Sequence, residues 1–229
     1  MRLIAVLFVC ICLASCQRPP QAVVTTGAGM RFLALGDSYT IGESVDALEC
    51  WPMQLATHLR ARGVKIDDPE IIAKTGWTTD ELSAGIDRAD PKSPYSLVTL
   101  QIGVNNQFRG RSLEEFRTQF AALLKRAIGF AGGDTHRVVV LSIPDWGSTP
   151  FAAGQDRIKI GKEIDAFNSA SAEECAKQNV AFVDITPISK QALDDKTLVA
   201  PDGLHPSSKM YSLWNQAALA TVRKALDAK

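Results

Sequence analysis

The chain has 229 residues, of which 46% are hydrophobic and 22% are charged, and its formal net charge is zero. This composition is that of an ordinary globular protein, and the length suits one domain with a sizeable core. Because Lys and Arg form no basic block, the composition argues against a nucleic-acid partner.

The amino-terminal segment is typical of an export signal. Arg2 precedes an apolar stretch, residues 3–14, that is shorter than the roughly 20 residues a bilayer-spanning helix needs. The stretch leads into a Leu-Ala-Ser-Cys sequence, residues 13–16, that resembles the bacterial lipobox. We therefore expect residues 1–15 to be a lipoprotein signal peptide and residues 16–29 a tether lipidated at Cys16, which would place the protein in the cell envelope, at the outer membrane or the periplasmic face. An ordinary signal peptide or an uncleaved anchor is the alternative.

Two thiols remain after that processing, Cys50 and Cys175. An oxidising compartment permits a disulfide between them. The alternative is that both are buried as small hydrophobic side chains.

Residues 30–229 alternate short apolar runs with helical patterns. The predicted strands are 31–35, 70–73, 95–102, 137–141 and 181–185. The predicted helices are 51–62, 78–86, 112–131, 158–178 and 207–226, with capping boxes expected at Thr78 with Glu81 and at Ser112 with Glu115. Continuous apolar strands separated by helices favour a parallel sheet that is covered on both faces, with ligands bound beyond the carboxyl ends of the strands.

Polar groups follow the first three strands. Gly36 is expected to make a tight turn through an unusual backbone angle, so that Ser38 exposes its hydroxyl and its N–H, although a plain turn with a helix cap is the alternative. Gly76, after the second strand, allows a close approach and a free N–H. Asn105, after the third strand, has an amide that can donate to a developing oxyanion.

The segments after the last two strands complete the set. Trp146 and Phe151 follow the fourth strand and either line a pocket or pack in the core. Asp202 and His205 lie in a proline-rich loop before the last helix, where the carboxylate can orient the imidazole. A serine, an imidazole and an orienting carboxylate are the parts of a nucleophilic acyl-transfer site.

Taken together, these segments resemble the four sequence blocks of the SGNH hydrolases, also called GDSL esterases and lipases. The matching segments are Gly36-Asp37-Ser38, Gly76, Gly103-Val104-Asn105-Asn106 and Asp202 to His205. The resemblance implies a flavodoxin-like three-layer α/β/α sandwich with five parallel strands in the order 2-1-3-4-5. It departs from the family at Tyr39, where the family has Leu, and at Asn106, where the family has Asp.

The resemblance also implies roles for individual residues. Ser38 would be the nucleophile, His205 the base and Asp202 its orienter. The oxyanion hole would comprise the N–H groups of Ser38 and Gly76 and the Asn105 amide. The candidate pocket residues are Asp37, Trp77, Asn106, Trp146 and Phe151.

The expected function is that of an exported monomeric serine esterase acting on small or short-chain esters, with acetyl esters of carbohydrates as one possibility. Without a cluster of His and Cys residues at ligand spacing, neither a metal nor another cofactor is expected. The membrane would be contacted only through the lipid on Cys16. An O-acyltransferase, a lysophospholipase or thioesterase, and a binding module with weak catalysis, to which Asn106 points, are the alternatives.

Overall fold

The computed structural model describes residues 29–227, which form a five-stranded sheet with helices packed against it. The strand order is β2-β1-β3-β4-β5, and every neighbouring pair is parallel. The strands are β1 (Phe32–Asp37), β2 (Glu70–Lys74), β3 (Leu97–Gln101), β4 (Val138–Leu141) and β5 (Ala181–Val183). The predicted fold class and strand order are thus confirmed. The predicted signal peptide, Cys16 and the tether up to residue 28 lie outside the described residues.

Eight α-helices occur among the described residues. They are α1 (Ser38–Ile41), α2 (Trp51–Arg60), α3 (Thr79–Ala89), α4 (Val104–Phe108), α5 (Leu113–Phe130), α6 (Arg157–Lys177), α7 (Thr186–Lys190) and α8 (Ser208–Asp227). Helix α2 packs against α8, whereas α3, α5 and α6 pack in series. The short helices α1, α4 and α7 were not predicted, because four or five residues are too few to produce a helical hydrophobic period.

Two helix starts follow the sequence signals. Thr78 and Glu81 form the expected reciprocal capping box at the start of α3. At the start of α5 only half of the expected box forms: Ser112 accepts a hydrogen bond from the N–H of Glu115 at 3.1 Å, but the Glu115 carboxylate accepts from Arg111 and Gln119 instead. These caps satisfy backbone donors that no helical carbonyl can reach.

The central strands form the core. Every residue of β3 and β4 is buried, whereas β2, at the edge of the sheet, is partly exposed. Cys50 and Cys175 are both buried and free, in agreement with the reading of two small core residues rather than a disulfide. Among the helices of residues 29–227, none combines the length and apolar character that crossing a membrane requires.

Both ends of the described chain lie at the amino edge of the sheet. Met30 pairs with Ile66 immediately before β1 begins. Helix α8 starts just after the His205 loop and runs back to pack against the turn Thr135–Arg137, which leads into β4. The loops that carry Ser38, Asn105 and His205 therefore emerge at the opposite, carboxyl edge.

Candidate active site

Ser38 lies where β1 passes directly into a helix. The strand continues through Gly36 and Asp37, and Ser38 is the first residue of α1. The expectation that Gly36 takes an unusual backbone angle is wrong, since it is an ordinary strand residue. A Cβ on Gly36 would instead collide with Thr40 Oγ1 and lie 2.7 Å from the carbonyl oxygen of Gln101. Gly36 is therefore required for the close packing of β1, β3 and α1 rather than for the turn.

Asp37 supports the start of α1 from a buried position. Its Oδ1 accepts a hydrogen bond from the N–H of Tyr39 at 3.0 Å, and the residue is 1% exposed. Burial raises the pKa of Asp37 to about 7, although the hydrogen bonds from Tyr39 and Asn105 oppose this effect. A residue so completely covered does not line a substrate pocket, which corrects the expectation for Asp37.

Asp202 and His205 are in contact. His205 Nδ1 lies 2.5 Å from Asp202 Oδ2, and Asp202 Oδ1 accepts from the N–H groups of Leu204 and His205 at 2.9 and 3.0 Å. Partial burial raises the pKa of Asp202, but the hydrogen bonds from His205, Leu204 and Ser44 outweigh it and hold the pKa at about 2. The carboxylate is thus ionised and orients the imidazole, which leaves Nε2 available as a base.

The His205 imidazole packs against a ring from the turn that carries Ser38. The Tyr39 ring lies 5.3 Å from that of His205, between centroids, and 6.4 Å from the Trp214 ring. Because Tyr39 follows Ser38 in sequence, this packing brings the nucleophile turn and the His205 loop together. Within residues 29–227 the Ser38 hydroxyl has no hydrogen-bond partner, and hydrogen bonds between reacting groups are often long or unformed in ligand-free enzymes.

Two further donors lie near Ser38 at the carboxyl edge. Gly76 has a φ of 82°, a left-handed angle that glycine adopts without strain, and its N–H has no acceptor in the described part of the chain. Asn105 Nδ2 donates to the carbonyl oxygen of Trp77 at 3.0 Å and lies 3.5 Å from Asp37 Oδ2. One amide N–H of Asn105 is therefore committed, and the second is only weakly engaged and available to a ligand.

Asn106 and Trp77 do not line the cleft as expected. Asn106 is fully buried, and both of its side-chain polar atoms are hydrogen-bonded to Thr79. The Trp77 ring occupies the space above Gly85 of α3, where a Cβ would collide with it. Only the backbone carbonyl of Trp77 reaches Asn105. Both side chains consequently pack against α3, Asn106 at its start and Trp77 over Gly85, and hold the loops around Asn105 in place.

Three aromatic rings form an open apolar surface that we call the aromatic platform: Phe108, Trp146 and Phe151. Phe108 lies 5.3 Å from Trp146 and 6.2 Å from Phe151, between ring centroids. Trp146 is buried and donates from Nε1 to Gln107 Oε1 at 2.7 Å, whereas Phe108 and Phe151 are 54% and 48% exposed. The platform connects the helix of Asn105 with the loop of His205. Phe108 belongs to that helix, and the N–H of Phe151 donates to the carbonyl of Gly203 in that loop.

Sequence reasoning missed Phe108, Gln107 and Ser44. Phe108 follows Asn105 by three residues, which in a helix is the same face, so a prediction of α4 would have identified it. Gln107 positions Trp146 through a contact between residues 39 positions apart. Ser44 donates to Asp202 Oδ2 at 2.7 Å across 158 positions, and nothing in the local sequence signals that contact. The other histidines stay apart from this site, since His136 is exposed in the turn before β4 and His58 lies on α2.

Comparisons with known proteins show the family and the fold of the chain. The sequence model of the GDSL-like Lipase/Acylhydrolase family matches residues 34–213. No curated protein sequence matches significantly. Among solved structures, TesA superposes with a TM-score of 0.68 at 18% identity and covers 86% of this chain and 99% of its own. The acetylxylan esterase Axe2 from Geobacillus stearothermophilus has a TM-score of 0.66 at 20% identity, over 86% and 95% of the two chains. The esterase EstA from Pseudoalteromonas sp., in a form inhibited by monoethylphosphonate, has a TM-score of 0.63 at 18% identity, over 86% and 99%.

Proposed function

Given that the chain is an ester-hydrolysing enzyme of the GDSL-like lipase/acylhydrolase family, we propose that it hydrolyses small or short-chain carboxylic esters through an acyl-enzyme on Ser38. The observation that carries this proposal is the contact of 2.5 Å between His205 Nδ1 and the ionised Asp202, in a loop that packs against the Ser38 turn. That contact directs Nε2, the basic nitrogen, away from Asp202 and leaves it for the serine.

Acylation begins when His205 Nε2 removes the Ser38 hydroxyl proton while Oγ attacks the ester carbonyl carbon. The C–O bond to the alcohol then breaks, and the alcohol leaves with the proton that His205 returns to it. A water molecule, deprotonated by the same nitrogen, then attacks the acyl carbon. The bond from that carbon to Ser38 Oγ breaks, His205 returns the proton to Oγ, and the carboxylic acid is released. Asp202 stays ionised throughout and stabilises the imidazolium that forms twice in the cycle.

The negative charge on the carbonyl oxygen would be held by three donors. These are the N–H groups of Ser38 and Gly76 and the weakly engaged amide N–H of Asn105. Because Trp77 O already fixes the other Asn105 N–H, the amide needs little reorganisation when the charge develops. Preorganised donors of this kind commonly supply the largest part of the rate enhancement.

The aromatic platform supports a small or short acyl or alcohol group as the preferred substituent. Phe108 and Phe151 present open rings beside the donor of Asn105 and the loop of His205, and such rings offer apolar contact over a short length. Aromatic faces of this kind also suit the apolar face of a sugar. Since Axe2 is an acetylxylan esterase, acetyl esters of carbohydrates are included in the proposal as substrates.

The position of Asn106 removes the one sequence feature that favoured a binding module. That alternative depended on Asn106 as a sign of weakened catalysis, but Asn106 is buried and fully hydrogen-bonded away from the reacting groups. An acyltransferase uses the same residues with an alcohol in place of water. Adding glycerol as an acceptor to the assay below and analysing the products separates the two: a transferase forms the glycerol ester, whereas a hydrolase releases the free acid.

The test is hydrolysis of p-nitrophenyl acetate, butyrate and octanoate by residues 17–229 with and without the Ser38→Ala substitution. We expect measurable turnover that falls by at least 1,000-fold in Ser38→Ala, as removal of a serine nucleophile does in such sites. Ser169→Ala, on the exposed side of α6, is the matched control and should keep full activity. Undiminished hydrolysis in Ser38→Ala would overturn the mechanism.

We further propose that the enzyme is a monomer anchored in the cell envelope through a lipid on Cys16. The lipobox-like sequence before Cys16 supports the anchor, and the presence of nucleophile, base and donors in one chain supports a self-sufficient monomer. Metabolic labelling with a fatty-acid analogue should mark the full chain and not Cys16→Ser, and the variant should move from the membrane to the soluble fraction. Unchanged labelling in Cys16→Ser would rule out that anchor.

A further inference from the structure

Ser44 adopts a backbone conformation that is unusual for its residue type. Its φ is 67°, in the left-handed region that glycine adopts without steric cost and that strains a serine. The residue lies in the turn that follows α1, six positions after Ser38. Strained residues persist where surrounding contacts require them, and they are concentrated at functional sites.

The strained conformation aims the Ser44 hydroxyl at Asp202. Ser44 Oγ donates to Asp202 Oδ2 at 2.7 Å, and this is the same oxygen that faces His205 Nδ1. The other oxygen, Oδ1, is held by the backbone of Leu204 and His205 within the same loop. Among residues 29–227, Ser44 is thus the one donor to the Asp202 carboxylate from outside its own loop.

The turn that carries Ser44 is itself held from the other side of the site. The adjacent Glu43 accepts a hydrogen bond from Thr75 Oγ1, and Thr75 immediately precedes Gly76. Glu43 and Ser44 therefore link the Gly76 loop to the Asp202 loop across the nucleophile turn. A donor on such a fixed turn can determine where the carboxylate stands relative to Ser38.

We propose that Ser44 is a positioning residue that holds the Asp202 carboxylate, and through it the His205 imidazole, in line with Ser38. This inference rests on the proposed serine esterase function. Ser44 contacts neither reacting atom, so its contribution is orientation of the base. Its loss should reduce turnover and leave substrate affinity unchanged.

The first test replaces Ser44 by Gly, which keeps the left-handed turn without strain and removes the side chain that carries the hydroxyl. We expect kcat for p-nitrophenyl acetate to fall about 5- to 10-fold, KM to stay within 2-fold, and thermal stability to be unchanged or higher. Asn179→Gly is the matched control, because Asn179 has a φ of 55° in the turn after α6, far from Asp202 in the fold, and should leave kcat unchanged. Unaltered kcat in Ser44→Gly would overturn the proposal.

A double-substitution cycle with Asp202→Asn separates orientation through Asp202 from a general effect on the turn. If Ser44 acts through Asp202, adding Ser44→Gly to Asp202→Asn should lower kcat by less than 2-fold further. A loss in that background as large as in the parent would show that Ser44 acts elsewhere, and would refute the positioning role.

Proton NMR provides a readout that does not depend on hydrolysis. The Nδ1 proton of His205, shared with Asp202, should give a downfield signal in the parent that shifts or exchanges faster in Ser44→Gly and not in Asn179→Gly. If the parent hydrolyses no ester but the signal still changes in Ser44→Gly, the esterase function is refuted and the contact from Ser44 to Asp202 is supported. An active parent whose signal is identical in Ser44→Gly would refute the positioning role alone.

Discussion

The side chain of Asn106 makes two hydrogen bonds to Thr79: Oδ1 accepts from the N–H of Thr79 at 3.1 Å, and Nδ2 donates to Thr79 Oγ1 at 2.8 Å. The Thr79 hydroxyl in turn donates its proton to Gln119 Oε1. The oxygen of Thr79 therefore needs a donor from position 106, which an amide provides and a carboxylate does not. Asn106 ties the loop after β3 to the start of α3, and it is the residue type that this network requires.

Asn106→Asp should accordingly weaken the fold rather than improve the enzyme. The change buries a carboxylate and removes the donor to Thr79, which we expect to cost about 1–3 kcal/mol of unfolding free energy. Urea unfolding measures this loss, and kcat well below the melting temperature should not exceed that of the parent. A variant that is both more stable and faster would contradict the hydrogen-bond network described above.

Asn105→Ala should lower catalysis far more than stability. It removes the amide that is proposed to donate to the oxyanion, so kcat should fall about 100- to 1,000-fold while KM changes little. Steady-state kinetics on p-nitrophenyl acetate checks this, with circular dichroism as the control for folding. A loss smaller than 5-fold would remove Asn105 from the oxyanion hole.

Asp37→Asn should change the pH dependence of stability. Burial raises the pKa of Asp37 to about 7, so its favourable contribution is complete below about pH 4 and is lost as the pH rises through 7. The variant cannot ionise at this position and can still accept from Tyr39. Its stability relative to the parent should therefore increase between pH 4 and 8, by up to about 4 kcal/mol. Urea unfolding across that range measures the difference, and a constant offset would contradict the raised pKa.

The aromatic platform should determine acyl preference. Phe151→Ala and Phe108→Ala each remove an exposed ring beside the site, so KM for butyrate should rise several-fold more than KM for acetate. Leu193→Ala is the control, since Leu193 is also 48% exposed but lies after α7. Equal effects on both esters would assign the rings to structure rather than to substrate contact.

The fold could be predicted because its signals are local. Continuous apolar runs such as residues 138–141 indicate strands buried on both faces, and Thr78 with Glu81 marks a helix start through neighbouring side chains. The segments that hold Ser38, Asn105 and His205 could be located for the same reason, since each follows a recognisable strand or precedes a recognisable helix.

The contacts that organise the site could not be predicted, because they join distant parts of the chain. The packing of Tyr39 on His205 and the bond from Ser44 to Asp202 each cross more than 150 positions. The direction of the Trp77 ring depends on the empty space above Gly85, which no pattern around Trp77 reveals. The burial of Asn106 could not be predicted either, because it results from two hydrogen bonds to Thr79, 27 positions away.

The placement of both described chain ends at the amino edge of the sheet has a practical consequence. Strand β1 carries the chain about 20 Å from that edge before Ser38 is reached, and α8 runs about 30 Å back to it. A bead, a fluorescent fusion or a lipid surface attached through residues before 29 would thus face the amino edge of the sheet. Attachment at the amino edge would therefore leave the loops of Ser38, Asn105 and His205, at the carboxyl edge, accessible from solvent.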